Sequence, residues 1–238
     1  MGSLRERWSS PKTADRSVRP TSSAQLIDLS HTIEQGLITY KGLPAPIICD
    51  YLSREASRKF YAPGTEFQIG KIEMVGNTGT YLDSPFHRFA DGKDLSELDL
   101  GKLADLAAIK VSAVGKHAID ESCFPSAAEL DRRAVIVETG WSKHWNTPQY
   151  YEGHPFLTED AAELLAACDV LLVGIDSHNI DDTDDPRRPV HTILLGKEIP
   201  IVEHMANLAA LPAEFKFFAV PPRVKGFGTF PVRAFALV

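Results

Sequence analysis

Two stretches constrain the fold of this chain more than any others. "SAAELDRR" (126–133) runs into "AVIVETG" (134–140), and "TEDAAELLAAC" (158–168) runs into "DVLLVGID" (169–176). Each joins a helical pattern to a short, continuous apolar run. Runs without polar alternation belong to strands buried on both faces. A helix feeding such a strand, twice in succession, predicts a partly parallel central sheet covered by helices. In the second unit Thr158 can cap the helix, and Glu159 and Asp160 complement its positive end. Leu164, Leu165 and Cys168 fall at helical spacing on one buried face.

Other segments add strands of a different kind. "AQLIDLSHTI" (24–33) and "AIKVSAV" (108–114) alternate apolar and polar residues. "EFQIGKIEMV" (66–75) changes face at Gly70-Lys71, which predicts a bulge there. "FKFFAVPP" and "PVRAFALV" close the chain. The sum is an α/β protein with a mixed central sheet rather than a plain doubly wound one.

The 238 residues are 44% hydrophobic, enough for one sizeable core. No linker-like stretch follows residue 24, so a single domain over 24–238 is expected. Residues 1–23 are polar, rich in Ser and Arg, and read as a disordered tail without the apolar core of a secretory signal. Net charge is −7 with dispersed basic residues, which argues against nucleic acid as a partner. No window approaches the ~18 apolar residues of a membrane helix. Cys49, Cys123 and Cys168 are scattered and form no CxxC pair, as suits a reducing cytoplasm.

Several chemistries are unsupported. There is no G-x-G-x-x-G after a strand, no Walker loop and no G-x-S-x-G elbow. The acidic run "DDTDDPRRP" (181–189) lacks the spacing of a calcium loop and reads as solvated.

Two segments remain. "VGNTGTYLDSPFH" (75–87) holds glycines that permit close backbone approach. It places Tyr81 and Asp83 on one face of an extended chain, and Pro85 can bend His87 back toward Asp83. An Asp with a nearby His serves acid/base and metal chemistry, although a turn-forming Asp and a surface His would look the same. "RPVHTILLGKEIPIVEHMANL" (188–208) places His191 and Glu203 on either side of an apolar stretch. Glu203 ends a strand-like "IPIVE" before an expected helix, and a carboxylate buried there needs a partner.

These segments carry a resemblance. "IDLSHTIEQGLITYKG", "NTGTYLDSPFH", "ETGWSKHW", "GIDSHNID…PVHTILLGKEIPIVEHMANL" and "PVRAFALV" occur in the order found in the cyclase-like metal-dependent hydrolases. That family includes bacterial kynurenine formamidase and isatin hydrolase. The resemblance implies a swivelling β/β/α fold, a homodimer or homotetramer, and hydrolysis of a small amide, lactam or lactone by metal-activated water. Asp83, His191 and Glu203 match its metal-ligand positions, and His87 matches its general acid/base. Asn77 and Tyr81 stand where it has two ligand histidines, and His204 stands for its usual Asn. Tyr40 falls on a pocket-lining aromatic position, with Phe86 close by.

A carboxamide and a neutral phenol are weak ligands beside two imidazoles. Asp83, His191 and Glu203 still suit one divalent ion, manganese or zinc, with open water positions. Three readings follow: a hydrolase reduced to one metal, with His87 as base; a metal-independent cyclase, isomerase or lyase using His87, with Tyr81 and Asn77 as hydrogen-bonding groups; or a non-catalytic binding member. His178 and Trp141, at strand ends, are further pocket candidates. Asp28 and His31 are weaker ones.

Overall fold

The computed structural model describes residues 24–238; the expected tail over 1–23 lies outside the described residues. The chain runs through β1 (Leu26–Asp28), β2 (Ile47–Leu52), α1 (Arg54–Ser57), β3 (Ile69–Glu73), β4 (Tyr81–Asp83) and β5 (Leu106–Ser112). It continues through β6 (Ala118–Ile119), α2 (Ala127–Leu130), β7 (Ala134–Glu138), β8 (Phe156–Leu157), α3 (Glu159–Ala167) and β9 (Leu172–Ile175). It closes with α4 (Pro189–Gly196), β10 (Ile201–Glu203), β11 (Glu214–Phe218), β12 (Thr229–Pro231) and β13 (Phe235–Leu237).

Nine strands form one mixed sheet in the order β1-β13-β11-β5-β7-β9-β10-β4-β12. Its centre, β5-β7-β9-β10, is parallel, and both flanks are antiparallel. This is the expected α/β fold with a mixed central sheet. The apolar run of β7 is buried along its whole length. Val135 and Val137 face α3 and α4, while Ala134 and Ile136 face a second core with Leu172, Val202 and Phe217. Continuous apolar sequence was needed because each face meets its own core.

Helix α3 is capped as its sequence demands: the Thr158 side chain accepts from Ala161 N–H. Cys168 is a small core residue beside it. The unit before β7 is one helical turn, closed by a capping box between Ser126 and Glu129.

Three details differ from the sequence expectation. The irregularity of the 66–75 hairpin falls on its partner β2, between Asp50 and Leu52, not at Gly70-Lys71. No helix directly follows Glu203: His204 and Asn207 take positive φ and only a 3-10 turn, Leu208–Ala210, comes after. The helix of this region is α4, formed by the residues before β10. Its apolar stretch packs against α3, which periodicity alone could not separate from a buried strand.

Candidate active site

The site is set by strand register. On β10 and β4, Ile201 opposes Asp83 and Glu203 opposes Tyr81. On β4 and β12, Asp83 opposes Thr229. Alternation puts Tyr81, Asp83, Glu203 and Thr229 on one face of this corner. The first turn of α4 brings His191 over it. After Asp83 the 3-10 turn Pro85–His87 carries His87 to the rim. The loop before β4 is pinned by Thr78 Oγ1 to Val75 O (2.7 Å), Gly79 N to Thr39 Oγ1 (2.8 Å) and Thr80 Oγ1 to His204 O (2.5 Å). Gly79 has φ +68°, and a Cβ there would lie 2.9 Å from Ile33 Cγ1, so glycine is required.

These elements enclose a cavity of about 330 Å³. It is lined by Tyr40, Asn77, Tyr81, His87, His191 and Glu203, and also by Leu43, Arg88, Asn179 and Arg188. Phe86 is not among the lining residues. A 3-10 turn rotates successive side chains by about 120°, so the residue before His87 cannot share its direction. His178, Trp141, Asp28 and His31 also lie outside the lining. The His178 imidazole is buried against Tyr40 and Tyr150, and burial lowers its pKa to about 3.

His191 is the best-held group. Its Nδ1 lies 2.6 Å from Asp181 Oδ2, and Asp181 also accepts the backbone N–H groups of Val190 and His191. Asp181 was expected in a solvated run. It is fully buried instead, because the first turn of α4 needs acceptors for its open N–H groups. His191 Nε2 then faces Asp83 Oδ2 at 3.7 Å and Glu203 Oε1 at 3.8 Å. Burial pushes this imidazole down, but the Asp181 hydrogen bond and the charges of Glu203 and Asp83 raise it to about 10. Asp83 Oδ2 is buried with no hydrogen-bond partner.

Glu203 is engaged on both oxygens. Oε1 accepts Ile180 N–H at 2.6 Å and Oε2 accepts the Tyr81 hydroxyl at 2.6 Å. Burial and the Asp83 charge push Glu203 up, against the pull of His191. Tyr81 is held neutral: burial, then Glu203, raise its pKa well above the usual phenol value. Its proton is committed to Glu203. The Tyr40 hydroxyl stands 3.1 Å from that of Tyr81 and receives Asn179 Nδ2 at 2.8 Å. Behind them His204 Nε2 is 3.3 Å from the Tyr81 hydroxyl, and Nδ1 is 2.8 Å from that of Tyr150. Burial keeps His204 neutral, with a pKa well below the usual imidazole value.

The donor set suits a divalent cation. Asp83, His87 and His191 each offer a ligand atom, all within 4.8 Å of one another. Two ligand atoms each about 2.1 Å from an ion stand roughly 3.4 Å apart in a tetrahedron. His191 Nε2 stands slightly wider than this from the Asp83 and Glu203 oxygens, and Glu203 lies outside the group whose ligand atoms are all within 4.8 Å of one another. A carboxylate on the far nitrogen of a histidine is a common outer partner of a metal ligand.

A family profile described as "Putative cyclase" matches residues 27–182. The chain belongs to the cyclase family. Kynurenine formamidase of Bacillus cytotoxicus is 28% identical to this cyclase-family chain over 213 residues, covering 89% of it and 97% of the relative. That of Bacillus anthracis is 25% identical, with the same coverage. Among solved structures, isatin hydrolase A from Labrenzia aggregata superposes with a TM-score of 0.75 at 18% identity, over 90% and 94% of the two chains. A structure described as a potential metal-dependent hydrolase with cyclase activity gives 0.74 at 21%, over 90% and 98%. The shared fold is that of the swivelling β/β/α resemblance. Asp181, Thr229, Asn179, Arg88 and Arg188 were missed by sequence reasoning. Only Asp181 left a signal, ten residues before His191 in the same segment.

Proposed function

We propose that this cyclase-family chain hydrolyses the C–N bond of a small amide with one divalent ion, manganese or zinc. Asp83, His191 and Glu203 would hold the ion, and His87 is the general acid/base. The observation that carries the reading is the buried Asp83 oxygen without a partner, facing a histidine backed by Asp181. The similarity to kynurenine formamidases, over 89% of this chain and 97% of the relative, supports the reaction class.

A divalent ion in this place polarises a carbonyl and makes a water acidic. The chain supplies the rest. His87 stands at the cavity rim with its side chain 37% exposed, within reach of a water and of a leaving nitrogen. His87 takes the proton of the attacking water and returns it to that nitrogen as the C–N bond breaks. Tyr81 cannot donate to substrate while its hydroxyl donates to Glu203; it orients that carboxylate instead. Asn77 and Tyr40 line the wall, and Arg88 and Arg188 at the mouth suit a substrate with an anionic group.

The test is metal analysis with assay of N-formylkynurenine and isatin. Protein purified without added metal is expected to carry manganese or zinc and to lose activity to a chelator. His87→Gln is expected to keep the ion and lose about 10²–10⁴-fold in kcat. Loss of the ion in His87→Gln would make His87 a ligand, as the mutual spacing of Asp83, His87 and His191 would also allow. Chelator-resistant turnover would favour the metal-independent alternative.

A further inference from the structure

Three side chains stand in line at the cavity edge: the Asp83 carboxylate, the Thr229 hydroxyl and the His87 imidazole. Thr229 Oγ1 makes a short hydrogen bond to Asp83 Oδ1 and lies 2.9 Å from His87 Nδ1. Asp83 Oδ1 and His87 Nδ1 are 3.8 Å apart, too far for a direct bond, so the hydroxyl bridges them.

Proton counting fixes the direction. A threonine hydroxyl has one proton, and a carboxylate only accepts. The Thr229 proton therefore goes to Asp83 Oδ1. Its oxygen then presents lone pairs to His87 Nδ1, and only an N–H there makes a bond. Neutral imidazole carries one N–H. His87 is thus held as the Nδ1–H tautomer, with its lone pair on Nε2.

The backbone leaves little freedom to escape this. Thr229 is the direct strand partner of Asp83. Ser84 N and Oγ both donate to Gly228 O, at 2.7 and 3.0 Å. A Cβ on Gly228 would lie 2.6 Å from both Cα and N of His87. The segment that carries His87 is therefore clamped onto the strand that carries Thr229.

We propose that Thr229 is a positioning residue. It selects the His87 tautomer that can act as a base through Nε2, and it occupies Asp83 Oδ1 so that Oδ2 is the oxygen left for a cation. The inference rests on His87 being the base of the proposed hydrolysis. In that step a water O–H bond breaks, its proton binds His87 Nε2, and the water oxygen bonds to the carbonyl carbon. The Nδ1 proton does not move. The new imidazolium keeps its bond to the Thr229 oxygen, with the Asp83 charge behind it. The Nε2 proton then passes to the leaving nitrogen as the C–N bond breaks.

The test has a readout that needs no substrate. Nitrogen-15 NMR of histidine-labelled full-length chain, at mildly alkaline pH with zinc as a diamagnetic ion, reports which ring nitrogen carries hydrogen. His87 is assigned by its loss in His87→Gln. The expected spectrum has a protonated Nδ1. Thr229→Val, nearly isosteric, is expected to mix the two tautomers, and Thr229→Ser to restore one. On N-formylkynurenine, Thr229→Val is expected to lower kcat about 10–100-fold with little change in KM, with Thr229→Ser within a few-fold of the parent. A protonated Nε2 in the parent, or a His87 spectrum unmoved by Thr229→Val, overturns the inference whatever the substrate. The expected spectra without turnover of any amide leave the tautomer assignment standing and count against the hydrolysis alone.

Discussion

At the scale of residues, the site gathers negative charge around one imidazole. Asp83, Asp181 and Glu203 all face His191. Without a cation their attraction is met by a proton, and the His191 pKa rises from 6.5 to about 10. A group whose pKa is raised on folding binds its proton more tightly in the folded state. Its contribution is fully present below the unfolded value and is lost as pH rises through the folded one. Chelator-treated protein is therefore expected to lose stability between about pH 6.5 and pH 10 from this group, measured by urea unfolding across that range. His191→Gln should flatten that part of the profile. A bound ion should flatten it too, because it takes the place of the proton. His204 shows the opposite habit: it stays neutral among Tyr81, Tyr150 and Trp145. It does so at φ +55°, a conformation that Asn accepts more easily than His. Its two ring nitrogens keep the Tyr150 and Tyr81 hydroxyls as partners at that backbone.

At the scale of elements, the working corner is the flank β10-β4-β12 with α4 laid across it. Short strands suffice there because direct strand partners, not long ladders, set the positions of Asp83, Tyr81, Glu203 and Thr229. Gly228 packs closely against the 3-10 turn. Gly228→Ala has nowhere to put its methyl group except against backbone. We expect about 1–3 kcal/mol of destabilisation by denaturant titration, together with a displaced His87 and lost turnover. A variant as stable and as active as the parent would show that this approach is looser than described.

At the scale of the whole molecule, β2 and β3 form a two-stranded arm outside the main sheet. Ile47, Ile48, Tyr51, Ile69 and Ile72 on it are exposed, Tyr51 to 77%. An isolated two-stranded ribbon is marginal in water, and apolar residues on both strands ask for a cover. We propose that a second copy of the chain supplies it, giving the homodimer or homotetramer expected from the resemblance. Leu43, just before the arm, and Asn77, just after it, line the cavity, so such pairing would lie beside the site. Light scattering is expected to give a multiple of 26.2 kDa. Ile48→Lys with Ile72→Lys should reduce it to the single-chain mass. A parent chain already at that mass would refute the pairing. No helix among the described residues is long and apolar enough to cross a membrane.

The sequence by itself determined the buried parallel centre, because a strand covered on both faces has to be apolar throughout and its helices have to precede it. It also determined the family, through ordered blocks that carry Asp83, His87, His191 and Glu203. It could not show that α4 is a helix, since a short apolar run fits helix and buried strand alike. Nor could it show Asp181 or Thr229. Their importance comes from contacts made across ten positions of chain in one case and 146 in the other. The tertiary structure also decided the partner of the Tyr81 hydroxyl. Residue type left its hydroxyl open to ligand or substrate; strand pairing placed it opposite Glu203, where it donates a hydrogen bond to that carboxylate. Local pattern determines what a segment can bury, while hydrogen-bond partners are fixed only when distant strands come into register.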